Sequence, residues 1–247
     1  MWNLWVFTFR LDWIHFIKGL EFFRCIENGW FLEYFGDILD GKDVLDIGPW
    51  KSPLPMYLSS KGVKVHVLDV NDGLVVQNRY TSKTKLKINT YSMPYFKGGE
   101  KIKFQNVPSE SMDIITIIST IEHFEGDGDL DIMSEIHRIL RPGGFVYISV
   151  PYSLRYMEDH VHYQWTEKRY NLLAINERLR GDKFEKLKEF YFNDPRTQVF
   201  TRIYWSIPKL FRTLIGRVWI IPALIFSKTD DAYFLNATLS GVVLKKK

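Results

Sequence analysis

The run Val44-Leu45-Asp46-Ile47-Gly48-Pro49-Trp50-Lys51-Ser52-Pro53-Leu54-Pro55-Met56-Tyr57-Leu58, continued by Val63-Lys64-Val65-His66-Val67-Leu68-Asp69, decides how this chain folds. An apolar strand ends in Asp-x-Gly, a loop leads into a short helix, and a second strand ends in an acid. Units of this kind build parallel sheets. They lay a nucleoside ligand across the carboxyl ends of the strands, with the acid facing ribose hydroxyls. The first strand is placed at about 43–47, the helix at 54–61 and the second strand at 63–69.

The theme repeats downstream. Asp113–Ser119 is a β-branched run with no polar face, as a central parallel strand requires. A helix follows at 128–140. Pro142-Gly143-Gly144 then turns sharply into a fifth strand at 145–150, which Pro151 ends. Residues 71–101 are polar and carry little pattern, so the third strand is assigned to Lys101–Gln105. Residues 152–165 read as a loop, and Thr166 reads as the N-cap of the next helix. A sixth strand is expected near 185–192 and a last one over Tyr233–Leu244. Before the first strand, Phe16, Leu20 and Phe23, and then Phe31, Phe35 and Ile38, recur at helical spacing, with Gly29 and Gly41 as breaks. Strands alternating with helices predict an α/β, doubly wound, mainly parallel sheet. The organisation expected is a helical cap over 1–41 and a sheet domain over 42–247, interrupted by an insertion at about 194–230.

Composition is globular: of 247 residues, 46% are hydrophobic and 25% charged, which excludes a disordered chain. Aromatic residues reach 16%, with eight Trp, which is high. Such an excess can build a core, line an apolar site or sit at a membrane interface. The net charge of +4 is too small to argue for nucleic acid, and part of it lies in Lys245-Lys246-Lys247, read as a solvated end. Cys25 is the sole cysteine, which excludes an internal disulfide and fits a reducing cytoplasm. Met1-Trp2-Asn3-Leu4-Trp5 lacks the basic start of a secretory signal, and no uncharged stretch reaches the length of a membrane-spanning helix.

Three pieces, in order and with helix-sized gaps, carry a family resemblance. Val44–Leu58 resembles the first motif of class I S-adenosylmethionine-dependent methyltransferases. Ser119-Thr120-Ile121-Glu122-His123-Phe124 is similar to the motif after their fourth strand. Arg138–Pro151 resembles their Pro-Gly-Gly turn and fifth strand. The resemblance covers about 42–192 and the final strand, and it implies a Rossmann-like sheet of seven strands. One departure stands out: Trp50 occupies a position where the family usually has glycine, and Ser52 stands near another.

The resemblance implies S-adenosylmethionine as cofactor. Gly48 would face its methionine part, Asp46 its amino group and Asp69 the ribose hydroxyls, since a carboxylate can accept from two donors. Val70 would border the adenine, Asn106 lies where the family places a contact to the adenine amino group, and Ser119 closes the fourth strand beside the ligand. Glu122 and His123 would face the acceptor. The imidazole of His123 can serve as a general base, or it can simply pin the loop. The loop holding His160 and His162 is read as acceptor-side. His-x-His alone lacks the third ligand that a metal needs, and no metal is expected.

The insertion suggests the partner. Wound as a helix, Lys209, Arg212, Thr213, Gly216 and Arg217 share one arc, while Leu210, Phe211, Leu214, Ile215, Val218 and Trp219 fill the other. This is the pattern of an interfacial membrane helix, but a lid packed on the domain is the commoner fate of such helices. The expectation is direct methyl transfer to a small-molecule, lipid-linked or glycan acceptor by a cytoplasmic enzyme; as a membrane anchor rather than a lid, the insertion would add peripheral contact to the inner face of the membrane through about 203–226. No nucleic-acid partner is expected, and nothing in the sequence sets an oligomeric state. Two rivals share the sheet. A nicotinamide-dependent dehydrogenase needs Gly-x-Gly-x-x-Gly, which Pro49-Trp50-Lys51 breaks. A non-catalytic binding protein requires Trp50 to alter the pocket.

Overall fold

The computed structural model describes residues 4, 6, 7, 10, 22–96, 101–162, 165–192, 206–208 and 237–247. The strands β1 (Asp43–Ile47), β2 (Lys64–Asp69), β3 (Ile88–Ser92), β4 (Met112–Ile118), β5 (Leu140–Pro151), β8 (Phe184–Phe192) and β9 (Leu239–Lys246) form one seven-stranded sheet in the order β3-β2-β1-β4-β5-β9-β8. The first five run parallel, and β9 is antiparallel to both neighbours. Strand order reverses between β1 and β4, and the crevice at their carboxyl ends is where such sheets hold ligands.

The sheet is covered on both faces because its strands alternate. Val44, Ile114, Tyr147 and Val243 meet helix α1 (Phe22–Phe35) through its buried Ile26, Phe31 and Phe35. Leu45, Ile47, Ile115 and Ile117 pack in the opposite layer with Ile132, Met133 and Ile136 of α4 (Gly128–Ile139). Helix α1 runs through Gly29 without a break. An interior glycine costs only about 1 kcal/mol, less than the stripe of buried aromatics around it supplies. Ile38 leaves that stripe: it sits in the 3-10 turn Gly36–Ile38 and is 43% exposed.

Helix α2 (Leu54–Ser60) and strand β2 fall where the pattern places them. The polar region does not. It holds α3 (Asn71–Thr84) and then β3, in register with Val65–Asp69, whereas residues 101–105 are a loop that buries Ile102 and Phe104. Pro142-Gly143-Gly144 is a bulge within β5 rather than a turn before it, since pairing with β4 steps from Met112↔Leu140 to Ile114↔Phe145. The stretch read as a loop is a two-stranded ribbon, β6 (Met157–His162) and β7 (Trp165–Arg169). Thr166 therefore lies in a strand, and Asn171 is the cap, its Oδ1 accepting from Ala174 N at 2.8 Å. The helix it opens, α5 (Leu172–Ala174), continues as π-helical turns Ile175–Arg180. Of the final strand expected over Tyr233–Leu244, residues 233–236 lie outside the described residues; β9 includes Lys246, whose buried Nζ donates to Leu140 O at 2.7 Å rather than reaching solvent. The basic-apolar segment at 209–219 lies outside the described residues. Among the described residues no helix is long and apolar enough to cross a membrane.

Candidate active site

A cleft of about 410 Å³ opens at the carboxyl ends of β1, β2 and β4, within the usual range for small-molecule sites. Gly48 forms its floor. Its φ is +67°, and a Cβ there would lie 2.3 Å from Thr120 Cγ2, so both backbone conformation and space exclude a side chain. Thr120 closes over it, its hydroxyl placed between Gly48 O at 3.1 Å and Ile118 O at 3.0 Å. Trp50 also takes a left-handed conformation, with φ +48°. Its N–H donates to Asp69 Oδ2 at 2.8 Å and its carbonyl accepts from Gln77 Nε2 at 2.8 Å, so neighbouring side chains hold the shape that glycine would otherwise permit. The residue stands at the rim, 38% exposed, with Lys51 Nζ 5.9 Å from the ring centroid, and the cleft beside it remains open.

Asp69 ends β2 with its carboxylate in the cleft wall. Oδ1 accepts from Val70 N at 2.7 Å, and Oδ2 takes the Trp50 N–H. Burial raises its pKa and these two N–H groups oppose the rise. Each oxygen keeps acceptor capacity for a further donor. Helix α3 approaches this carboxylate so closely that a Cβ on Gly73 would fall 2.2 Å from Oδ2.

Beneath the lining lies a layer of buried acids. Asp46 Oδ1 accepts from Thr116 Oγ1 at 2.7 Å, while Oδ2 has no hydrogen-bond partner; desolvation lifts its pKa to about 7. Glu122, in the 3-10 turn Ile121–His123, is buried with Oε2 unpartnered, and desolvation lifts it to about 8. His123 follows and does line the cleft, with Nε2 4.0 Å from Glu122 Oε1. From α1, Arg24 reaches the cleft wall. Its guanidinium donates to the carbonyls of Ile118 and Ser119, and its neighbour Glu27 accepts from the hydroxyls of Ser119 and Ser149.

Of the residues singled out in the sequence, Gly48, Asp69, Val70, Ser119 and His123 line this cleft, and Asp46 and Glu122 lie buried behind it. Asn106 lines a neighbouring depression of about 250 Å³ that shares Met93, Pro94 and Phe96 with the cleft. The β6–β7 ribbon sets the backbone of His160 opposite Thr166 and of His162 opposite Trp165; the two histidine side chains lie outside the described residues. Sequence reasoning missed Arg24, Glu27 and Gln77, whereas Thr120 stands with Ser119 in the motif after β4 and does line the cleft. An Arg/Glu pair one helical turn apart inside the aromatic run Phe22–Phe35 was the available sign of the first two. Among the described residues no group of three metal-binding side chains gathers.

Comparison with known proteins fits this geometry. A family model described as a methyltransferase domain matches residues 25–187. Similar solved structures include the Burkholderia thailandensis 1,6-didemethyltoxoflavin-N1-methyltransferase, bound to 1,6-didemethyltoxoflavin and S-adenosylhomocysteine. It has 15% identity and a TM-score of 0.60, with 92% of this chain and 79% of that one covered. Coclaurine N-methyltransferase, bound to N-methylheliamine and S-adenosylhomocysteine, matches at 12% identity and a TM-score of 0.58, covering 90% and 71%. A protein from Pyrococcus horikoshii matches at 12% identity and a TM-score of 0.59, covering 94% and 93%. At such identities the structural likeness speaks to the fold. No curated protein sequence matches. With its seven-stranded sheet, its Asp-x-Gly floor and a family match spanning most of its length, the chain belongs to the methyltransferase domain family.

Proposed function

We propose that the protein transfers a methyl group from S-adenosylmethionine to a small-molecule, lipid-linked or glycan acceptor. The observation that carries the cofactor is the cradle of Gly48, Asp69 and Thr120 around an open cleft, despite Trp50. Asp69 is suited to the ribose hydroxyls and Val70 to the base. The unpartnered Oδ2 of Asp46 suits the cofactor's ammonium, and Arg24 at the wall suits its carboxylate. S-adenosylmethionine supplies an electrophilic methyl group on a sulfonium. The chain's own residues then have to align donor and acceptor and exclude water. For a hydroxyl acceptor, His123 at the wall is the group placed to take the proton as the new carbon–oxygen bond forms. His160 and His162 on the ribbon are the remaining acceptor-side candidates.

A lipid-linked acceptor is favoured by charge and position. Between Asp194 and Asp230 the chain carries Arg196, Arg202, Lys209, Arg212, Arg217 and Lys228 and no acid, among many aromatic and aliphatic residues. Such a segment is attracted to anionic bilayers. The strands flanking it, β8 and β9, end at Phe192 and Leu239 beside Pro151, at the sheet edge where the cleft opens. Leu154, Met157, Leu172 and Leu173 are exposed near the base of the ribbon and add apolar surface there.

Calorimetric titration with S-adenosylmethionine and S-adenosylhomocysteine tests the cofactor. Micromolar binding is expected. Well-folded protein that binds neither would overturn the reading in favour of a non-catalytic protein. Co-sedimentation with phosphatidylglycerol vesicles, but not with phosphatidylcholine vesicles, is expected if the acceptor is met at a membrane. Equal absence from both would remove the lipid arm and leave soluble acceptors.

A further inference from the structure

We infer that Glu27, on helix α1, is a positioning residue for the cleft: it fixes the turn after β4 through Ser119 and Ser149, and so sets Thr120 and His123. Ser119 has φ +41°, a left-handed conformation that an L side chain adopts only when its surroundings hold it. Every polar group of Ser119 is engaged. Its N–H donates to Ser149 O at 3.1 Å, its hydroxyl donates to Glu27 Oε1, and its carbonyl accepts from Arg24 Nη2 at 3.2 Å. The Ser149 hydroxyl donates to the same Glu27 oxygen at 2.8 Å, and Tyr147 OH donates to the Glu27 carbonyl at 2.9 Å. Helix α1 and strands β4 and β5 thus converge on one carboxylate.

The residues just after Ser119 form the working surface. Thr120 packs on Gly48 and bonds its carbonyl, and the 3-10 turn then presents His123 to the cleft. Helix packing alone does not call for a charge here. Ile26, Trp30 and Phe31 already bury the helix, and a fully buried carboxylate is costly to retain for stability only. Among the described residues Oε2 of Glu27 has no hydrogen-bond partner, with Arg24 Nη1 3.9 Å away, so the carboxylate is not saturated by a structural network there. Its hydrogen-bonding is concentrated on the oxygen that faces the turn.

The inference rests on the proposed cofactor for its binding arm but not for its second arm. In the first, S-adenosylhomocysteine and methylthioadenosine, which lacks the amino-acid part, are titrated into wild-type protein, Glu27→Ala, Glu27→Gln and Ser149→Ala. Glu27→Ala is expected to weaken S-adenosylhomocysteine by about tenfold or more, with methylthioadenosine changed less than about threefold. Glu27→Gln keeps an acceptor oxygen and is expected to restore most of the affinity. Equal loss for both ligands, or no loss in folded Glu27→Ala, would overturn the inference. If Glu27→Ala does not fold, Ser149→Ala decides by the same selective loss. In the second arm, amide exchange over residues 119–124 is expected to quicken by about tenfold in Glu27→Ala and in Ser149→Ala, with the middle of β4 unchanged. Unchanged exchange there sinks the inference even if wild-type protein binds neither ligand, an outcome that would sink the cofactor reading separately.

Discussion

Glu122→Gln is expected to make the protein less sensitive to rising pH. Burial raises the carboxyl of Glu122 from 4.5 to about 8, so the folded state holds a proton that the unfolded chain releases over that window. Stability attached to this group is therefore complete below about pH 4.5 and falls as pH rises toward 8. While the folded group stays protonated, the slope is about −1.4 kcal/mol per pH unit. Allowing for the group's own titration, that is a loss of about 2 kcal/mol between about pH 6 and pH 8. Gln is the neutral isostere and removes the slope. Asp46, raised to about 7, adds a smaller loss of the same sign. His137 is lowered by burial and the nearby Lys246, so it acts with opposite sign, below its ordinary 6.5. Urea unfolding followed by tryptophan fluorescence at several pH values measures this directly. Wild type should lose stability from about pH 6 to pH 8 more steeply than the variant, by about 2 kcal/mol. Parallel curves would refute the assignment of a buried, protonated Glu122.

Gly73→Ala should weaken S-adenosylhomocysteine by about tenfold or more, because its Cβ would sit 2.2 Å from Asp69 Oδ2 and displace the carboxylate; calorimetric affinity equal to wild type would contradict the ribose placement. Trp50→Gly should hold cofactor affinity within about threefold, and should change stability by less than about 1 kcal/mol, since relief of the left-handed conformation is offset by chain entropy. A large loss of affinity on titration would show the indole to be a ligand contact. Asp129→Ala should cost about 3–5 kcal/mol in urea unfolding, because it leaves the fully buried Lys168 ammonium with the Gly126 carbonyl but no counter-charge, and removes the acceptor for Tyr170 OH and Arg178 Nε; a cost below about 1 kcal/mol would show that Lys168 re-pairs.

The elements the sequence reveals are those whose own pattern is strong. β4 is a β-branched run buried on both faces from Ile114 to Ile118, and α4 buries Ile132, Met133, Ile136 and Ile139 at helical spacing. Helix α3 buries only Gly73, Gln77 and Tyr80, so its periodicity is invisible to hydrophobicity, and β3 is an edge strand with no fully buried residue. Thr166 resembles an N-cap locally, but pairing with β6 overrides it. In the site, Gly48, Asp69, Ser119 and His123 belong to local motifs and could be found. Arg24 and Glu27 act on carbonyls and hydroxyls about ninety or more positions away, as Ser119 and Ser149 show, and no local signal encodes that. The motif shows that Trp50 stands where the family usually has glycine, but not the left-handed demand at that position, with φ +48°. The groups that satisfy it, Asp69 and Gln77, become apparent only once α3 is in place.

Glycine in a nucleotide-binding loop answers two separate demands, conformation and space, and this chain separates them. At Gly48 both apply: φ is +67° and Thr120 occupies the volume a side chain would need. At Gly73 only space applies, because the residue is helical and the obstacle is the Asp69 carboxylate. At Trp50 only conformation applies. A left-handed L residue costs about 1–2 kcal/mol, and hydrogen bonds to a charged acceptor and from a buried amide are of a size to offset it. The side chain then projects at the rim, where it meets Lys51. A bulky residue at a glycine position is therefore compatible with an open site wherever φ alone is demanded. The effect of alanine should differ accordingly: severe at Gly48, confined to the ribose end at Gly73, and small at Trp50.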